Sequence, residues 1–200
     1  MEKRLLIDSI GTLSVSAEQI NESISNNGGK LILSGVMQRA DATNQNMRVY
    51  PEQILQREVE KYKKTFIAEK RALGELDHPD SSVVNLSNVC LNVLDLWWEG
   101  KDLMGKIEIL GTPSGNIAKE LLKAGIRLGI SSRGMGSVHS IGEGKVEVEN
   151  DFEIVCWDLV SNPSTQGAFM SPTLNESVGV KKNNKYSKVE SLIGDIISVM

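Results

Sequence analysis

Between Val83 and Leu110 the chain reads VVNLSNVCLNVLDLWWEGKDLMGKIEIL. Two β-rich runs are separated by little more than EGKD, a turn by composition. Such a pair can only return on itself as antiparallel strands. Further strand-like runs are KLILSGVM (30–37), GKVEVEN (144–150) and FEIVCWDLVS (152–161), with a short LLI at 5–7. Two segments carry helical spacing instead. PEQILQREVEKYKKTFIAEKRA opens with Pro51 in its first turn, places Ile54, Leu55, Val59, Tyr62 and Phe66 on one face, and is stopped by Gly74. TPSGNIAKELLKAGI is capped by Thr112, with Pro113 in the first turn and Gly125 at its end. Strands outnumber helices and mostly follow one another, which predicts a mixed, largely antiparallel α+β domain.

Two polar stretches flank that core. SAEQINESISNNGG (16–29) reads as a mobile segment closed by a glycine pair, and NESVGVKKNNKYSK (175–188) as a linker before an amphipathic helical end. With 200 residues, 40% apolar and 24% charged, the chain has the composition of one globular domain with a tail. A net charge of -4 with no long basic run argues against a nucleic-acid partner. No apolar run approaches membrane-spanning length, and MEKRLLIDSIG is too short and too polar for a signal peptide. Cys90 and Cys156 both lie in apolar runs, as buried thiols do.

Four stretches could carry chemistry: GELDHP (74–79), LDLWWEG (94–100), GISSRGMGS (129–137) and CWDLVSNPS (156–164). The third and fourth runs, around the serines and around Asp158, read as strand-to-loop junctions. One of only two histidines, His78, stands between Asp77 and Pro79. Ser131 and Ser132 are flanked by glycines, which permit close backbone approach to a reacting carbonyl. Asp158 interrupts an apolar strand, a costly place for a carboxylate unless it is paired. Histidine, serine and acid make a triad conceivable, although composition alone does not choose it over a glycine–serine turn and a loop histidine. Trp97 and Trp98 read as core and rim packing. Asp77, His78 and Asp80 offer metal-ligand types but lack a second cluster at matching spacing, so neither metal nor cofactor is expected.

In order and spacing, RVYP, ALGELDHP, WWEGKDLMGK, GISSRGMGS and WDLVSNPS resemble the prohead core protein proteases of T4-like tailed phages, over about Leu31 to Pro172. The resemblance implies an antiparallel β-barrel flanked by helices, as in the herpesvirus assembly and HK97-type prohead proteases. It implies a serine endopeptidase inside the phage procapsid, assembled in the host cytoplasm. Its substrates would be scaffolding or core proteins, capsid proteins and itself. Carried onto this chain, the general base falls on His78, the nucleophile on Ser131 with Ser132 as the alternative, and the third member on Asp158 ahead of His139. Arg133 and Gly134, with the amides of residues 132–134, would serve the oxyanion or the substrate.

The resemblance also implies cleavage after glutamate in (Leu/Ile)-x-Glu before a small residue. The chain offers Ile20-Asn21-Glu22 before Ser23 and Leu174-Asn175-Glu176 before Ser177, both in the segments read as mobile. This predicts a zymogen with an N-terminal segment 1–22, a protease domain 23–176 and a C-terminal segment 177–200. A homo-oligomer is compatible with the sequence. The rival is an inactive capsid- or tail-assembly protein built on the same barrel.

Overall fold

The computed structural model describes residues 4–13, 16–161 and 170–172. In chain order these form β1 (Arg4–Leu13), α1 (Ala17–Asn26), β2 (Leu31–Arg39), β3 (Arg48–Val49), α2 (Glu52–Tyr62), β4 (Leu73–Glu75), β5 (Val89–Glu99), β6 (Asp102–Ile109), α3 (Pro113–Lys123), β7 (Leu128–Gly136), β8 (Val138–Gly142), β9 (Lys145–Val148), β10 (Glu153–Val160) and β11 (Met170–Pro172). Among the described residues no helix is long and apolar enough to cross a membrane.

Local chemistry accounts for the helices. Thr112 accepts a hydrogen bond from the Gly115 amide and Pro113 occupies the first turn of α3. Helix α2 follows Pro51 and continues through a single π turn, Lys63–Ile67. Its inward face, Leu55, Val59 and Tyr62, is buried. Helix α1 is closed by a reciprocal capping box between Ser16 and Gln19. The segment expected to be mobile is therefore an ordered helix: Ile20 and Ser23 are fully buried, and the Ser23 hydroxyl donates to the Ile32 carbonyl at 2.9 Å. The polar composition of residues 16–29 reflects the solvent face of a helix that docks through a narrow inner stripe.

The hairpin of β5 and β6 is the centre of a five-stranded sheet with order β11-β2-β6-β5-β4. A second sheet has order β1-β7-β10, and a small third one has order β3-β9-β8. All named ladders are antiparallel except β3 with β9. The mixed, mostly antiparallel α+β architecture agrees with the sequence reading. The closed barrel does not appear in the ladders, which describe three sheets. The two larger sheets meet where Leu76, just past β4, makes a parallel bridge to Leu159 of β10. No ladder among the described residues joins β1 to β2 or β11.

One further expectation changes. GISSRGMGS is not a strand-to-loop junction: it is the interior of β7, the middle strand of its sheet, and is almost wholly buried. The boundary drawn at residues 22 and 23 falls inside α1, and β1, within the expected N-terminal segment, pairs directly with β7. The C-terminal segment from residue 173 onward lies outside the described residues.

The core runs between the sheets and α2. Trp157 is fully buried and meets Tyr62 edge to face, with ring centroids 4.9 Å apart. Strand β4 slides against β10 so closely that a Cβ on Gly74 would stand 1.9 Å from the Trp157 carbonyl oxygen. Glycine is therefore required at this position by contact rather than by backbone angle. Gly74→Ala should destabilise the protein by at least about 2 kcal/mol, because backbone must move to admit the methyl group. A thermal melt should show a midpoint lowered by about 4–8 °C; an unchanged midpoint would contradict this close approach.

Candidate active site

Three elements converge where the larger sheets meet. Strands β7 and β10 are paired so that Ser131 lies directly opposite Asp158. Side chains alternate along a strand, so Ser131 and Arg133 project to one side and Ser132 to the other. The third element is the chain leaving β4. After the Leu76 bridge, the Asp77 amide donates to the Leu159 carbonyl at 2.7 Å. Asp77 then adopts a left-handed backbone, φ 67°, and its carboxylate accepts from the His78 amide at 3.0 Å. Aspartate is one of the few non-glycine residues that tolerates this conformation. The kink turns His78 back over the strand ends, and Pro79 stiffens the exit.

The imidazole thereby bridges the other two groups. His78 Nδ1 is 2.9 Å from Asp158 Oδ2, and His78 Nε2 is in hydrogen-bond contact with Ser131 Oγ. With the proton on Nδ1 donated to the carboxylate, Nε2 is left to accept from the serine hydroxyl. Ser131 and Asp158 are fully buried, whereas the His78 side chain keeps 14% of its surface exposed. The imidazole is thus the part of the relay nearest solvent.

Residues 6–179 match the prohead core protein serine protease family. The chain belongs to that family. It is 34% identical over 146 residues to the prohead core protein protease of Enterobacteria phage T4, an alignment covering 71% of this chain and 68% of the relative. A solved structure, that of the bacteriophage T4 capsid assembly protease, matches with a TM-score of 0.69 at 27% identity, covering 82% of this chain and 100% of the other.

For a member of this family, the remaining candidates fall in distinct places. Ser132 is buried opposite Trp157, on the side of β7 turned away from Ser131. His139 is on the edge strand β8, 47% exposed, with its ring 3.7 Å from Glu147 and from Glu149. The backbone of Ser132 to Gly134 is paired on both sides, with β1 and with β10, so its amides lie in the plane of the sheet rather than facing a substrate carbonyl. Gly134 has a packing reason: a Cβ there would meet the Phe152 ring at 2.3 Å. The Glu22–Ser23 bond is within α1, and Glu176 and Ser177 lie outside the described residues.

Arg133 differs most from its expected place beside an oxyanion. It is fully buried. Its Nε is 2.6 Å from Asp158 Oδ2 and 3.2 Å from Cys156 Sγ. Its remaining nitrogens donate to Glu75 Oε1 at 2.6 Å, Asp158 Oδ1 at 3.2 Å and the Ser81 carbonyl at 2.8 Å. Burial alone would lower its proton affinity, but the Cys156, Asp158 and Glu75 groups around it more than reverse this and hold it above the ordinary arginine range. The guanidinium is a fixed positive charge behind Asp158. Composition did not point to Arg133 and Glu75 as partners; the available signal was the lone cation of SSRG and the acidic residues of GELDHP, of which Glu75 is one.

The two thiols follow the same physics. Burial pushes the Cys156 thiol well above its ordinary value, with the Asp158 carboxylate adding to the effect. Burial likewise raises Cys90, again with Asp158 contributing. Both cysteines are unpaired. They should fail to react with a thiol-exchange reagent at pH 8 in native protein and both react in denaturant. Because the folded chain cannot ionise them and the unfolded chain can, stability should fall as pH rises above about 8.5. Rapid labelling of native protein would contradict this.

Proposed function

We propose that the protein is a serine endopeptidase in which Ser131 is the nucleophile, His78 the general base and Asp158 the group that orients and compensates the imidazole. The observation that carries this reading is the continuous Asp158–His78–Ser131 contact, in which each side chain comes from a different chain segment. His78 Nε2 takes the Ser131 proton as Oγ attacks the scissile carbonyl carbon. The imidazolium then protonates the leaving amine, and water, activated by the same nitrogen, hydrolyses the acyl-enzyme. Asp158 stabilises the imidazolium while it exists.

The family and the T4 relative, a prohead core protein protease, support capsid maturation as the setting. In this reading the enzyme acts inside the prohead on core and capsid proteins, cutting after glutamate in (Leu/Ile)-x-Glu. The two larger sheets are taken as the walls of the barrel that the resemblance implies, joined at the Leu76–Leu159 bridge.

Ser131→Ala should lower kcat/KM on a Leu-x-Glu-Ser peptide by at least about 10³-fold. Ser132→Ala should retain activity within about tenfold, because its side chain faces away from the imidazole. The reverse order would move the nucleophile to Ser132, and absence of cleavage by the wild-type protein would support an inactive assembly protein.

Self-processing is proposed after Glu176 first. A protease groove takes an extended strand, and the Glu22–Ser23 bond is helical and anchored through Ser23 to Ile32. Intact-mass analysis of incubated wild-type protein should show loss of the segment after Glu176 before any loss of residues 1–22. Cleavage after Glu22 as the earlier event would contradict this order.

A further inference from the structure

Behind the relay, Asp158 belongs to a buried cluster whose other two members, Glu75 and Arg133, take no direct part in the proposed reaction. Glu75 of β4, Arg133 of β7 and Asp158 of β10 are each fully covered. Arg133 contacts both carboxylates, at 2.6 Å to each. Asp158 Oδ1 also accepts from the Glu75 amide at 2.8 Å. The same groups hold the loop that carries His78 at two further points. Arg133 donates to the Ser81 carbonyl at 2.8 Å, and the Asn85 amide donates to Glu75 Oε1 at 3.0 Å.

We propose that Arg133 and Glu75 are positioning residues for the relay: together they clamp the 77–85 loop over the strand ends and fix the charge against which His78 works. This rests on the assignment of His78 as general base. Two carboxylates behind an imidazole would favour its protonated form, which cannot accept a proton from serine. Arg133 offsets one of them. The cluster Glu75, Asp158 and Arg133 then carries one net negative charge, which the imidazolium formed during acylation neutralises. Removing the guanidinium leaves two negative charges, and removing the Glu75 charge leaves none.

Among the described residues, the other ionisable groups near this cluster are Asp77 and Asp80 on the His78 loop, Cys156 on β10, Cys90 on β5 and Tyr62 at the end of α2. Burial raises both thiols and the Tyr62 phenol, so all three are neutral at working pH. Asp77 and Asp80 are unchanged between the variants below. The difference between those variants therefore isolates the buried pair.

The test compares Glu75→Gln, Arg133→Gln and Arg133→Lys, by kcat/KM against pH and by NMR titration of His78 in the Ser131→Ala background. The chain has only two histidines, so His139→Gln assigns the signals. Relative to wild type, the His78 midpoint and the acid limb of kcat/KM should move up in Arg133→Gln and down in Glu75→Gln, each by about half a pH unit or more. Arg133→Gln should lose about 10–100-fold in kcat/KM, mostly in kcat, as outer-sphere partners do, and Arg133→Lys should restore the midpoint but not the full rate. Glu75→Gln preserves the hydrogen-bonding shape, so it reports even where Arg133→Gln does not fold. Shifts of the same sign, or an unshifted midpoint in Glu75→Gln, would overturn the proposal. The NMR arm needs no turnover, so a wild-type protein lacking peptidase activity would sink the protease reading without deciding this one.

Discussion

The carboxylate of Asp158 is the constraint around which this molecule is arranged. An ionisable group at 0% exposure within a strand must be compensated or it destabilises the fold. Here compensation comes from three directions: the Arg133 fork from the neighbouring strand, the Glu75 amide from β4 and the His78 ring from the loop beyond. Each donor belongs to a different segment, so satisfying this one carboxylate fixes the relative placement of three pieces of chain. The relay is a consequence of that arrangement, since the residue directly opposite Asp158 in the ladder is Ser131.

The fold serves the same end. Strand β7 is held on both sides, by β1 and β10, which leaves Ser131 little freedom. Strand β4 is short and tight against β10, a contact that only glycine at position 74 permits. Its far end delivers His78 through the left-handed Asp77. A reacting pair needs placement to within a fraction of an ångström. Here rigid strands supply the serine and the acid, while a pinned loop supplies the imidazole. The most exposed of the three is the one that, in the proposed mechanism, meets substrate and leaving group.

Much of this was legible in the residues, for reasons that differ by element. The β5–β6 hairpin, β2, β9, β10 and the capped α3 follow from alternation and cap chemistry, which are local. His78, Ser131 and Asp158 came from motif resemblance, and their grouping in space is a tertiary fact that no local rule supplies. Helix α1 was misread because its stabilising contacts, Ile20 in the core and Ser23 on β2, are few among polar residues. Strand β7 was misread because glycines usually signal turns, whereas Gly134 makes room for the Phe152 ring. Arg133 was expected at the oxyanion or the substrate because it stands next to the serines in sequence; its two carboxylate partners come from segments 58 and 25 residues distant.

The central claim is that one hydroxyl, that of Ser131, is made nucleophilic by His78. An organophosphorus fluoridate reports this directly, since it phosphorylates an activated serine oxygen with loss of fluoride and ignores ordinary ones. Peptide mapping of labelled wild-type protein should place the adduct on Ser131 alone, and His78→Ala should abolish it without unfolding the protein. An adduct on Ser132, or labelling of Ser131 that persists without the imidazole, would contradict the account.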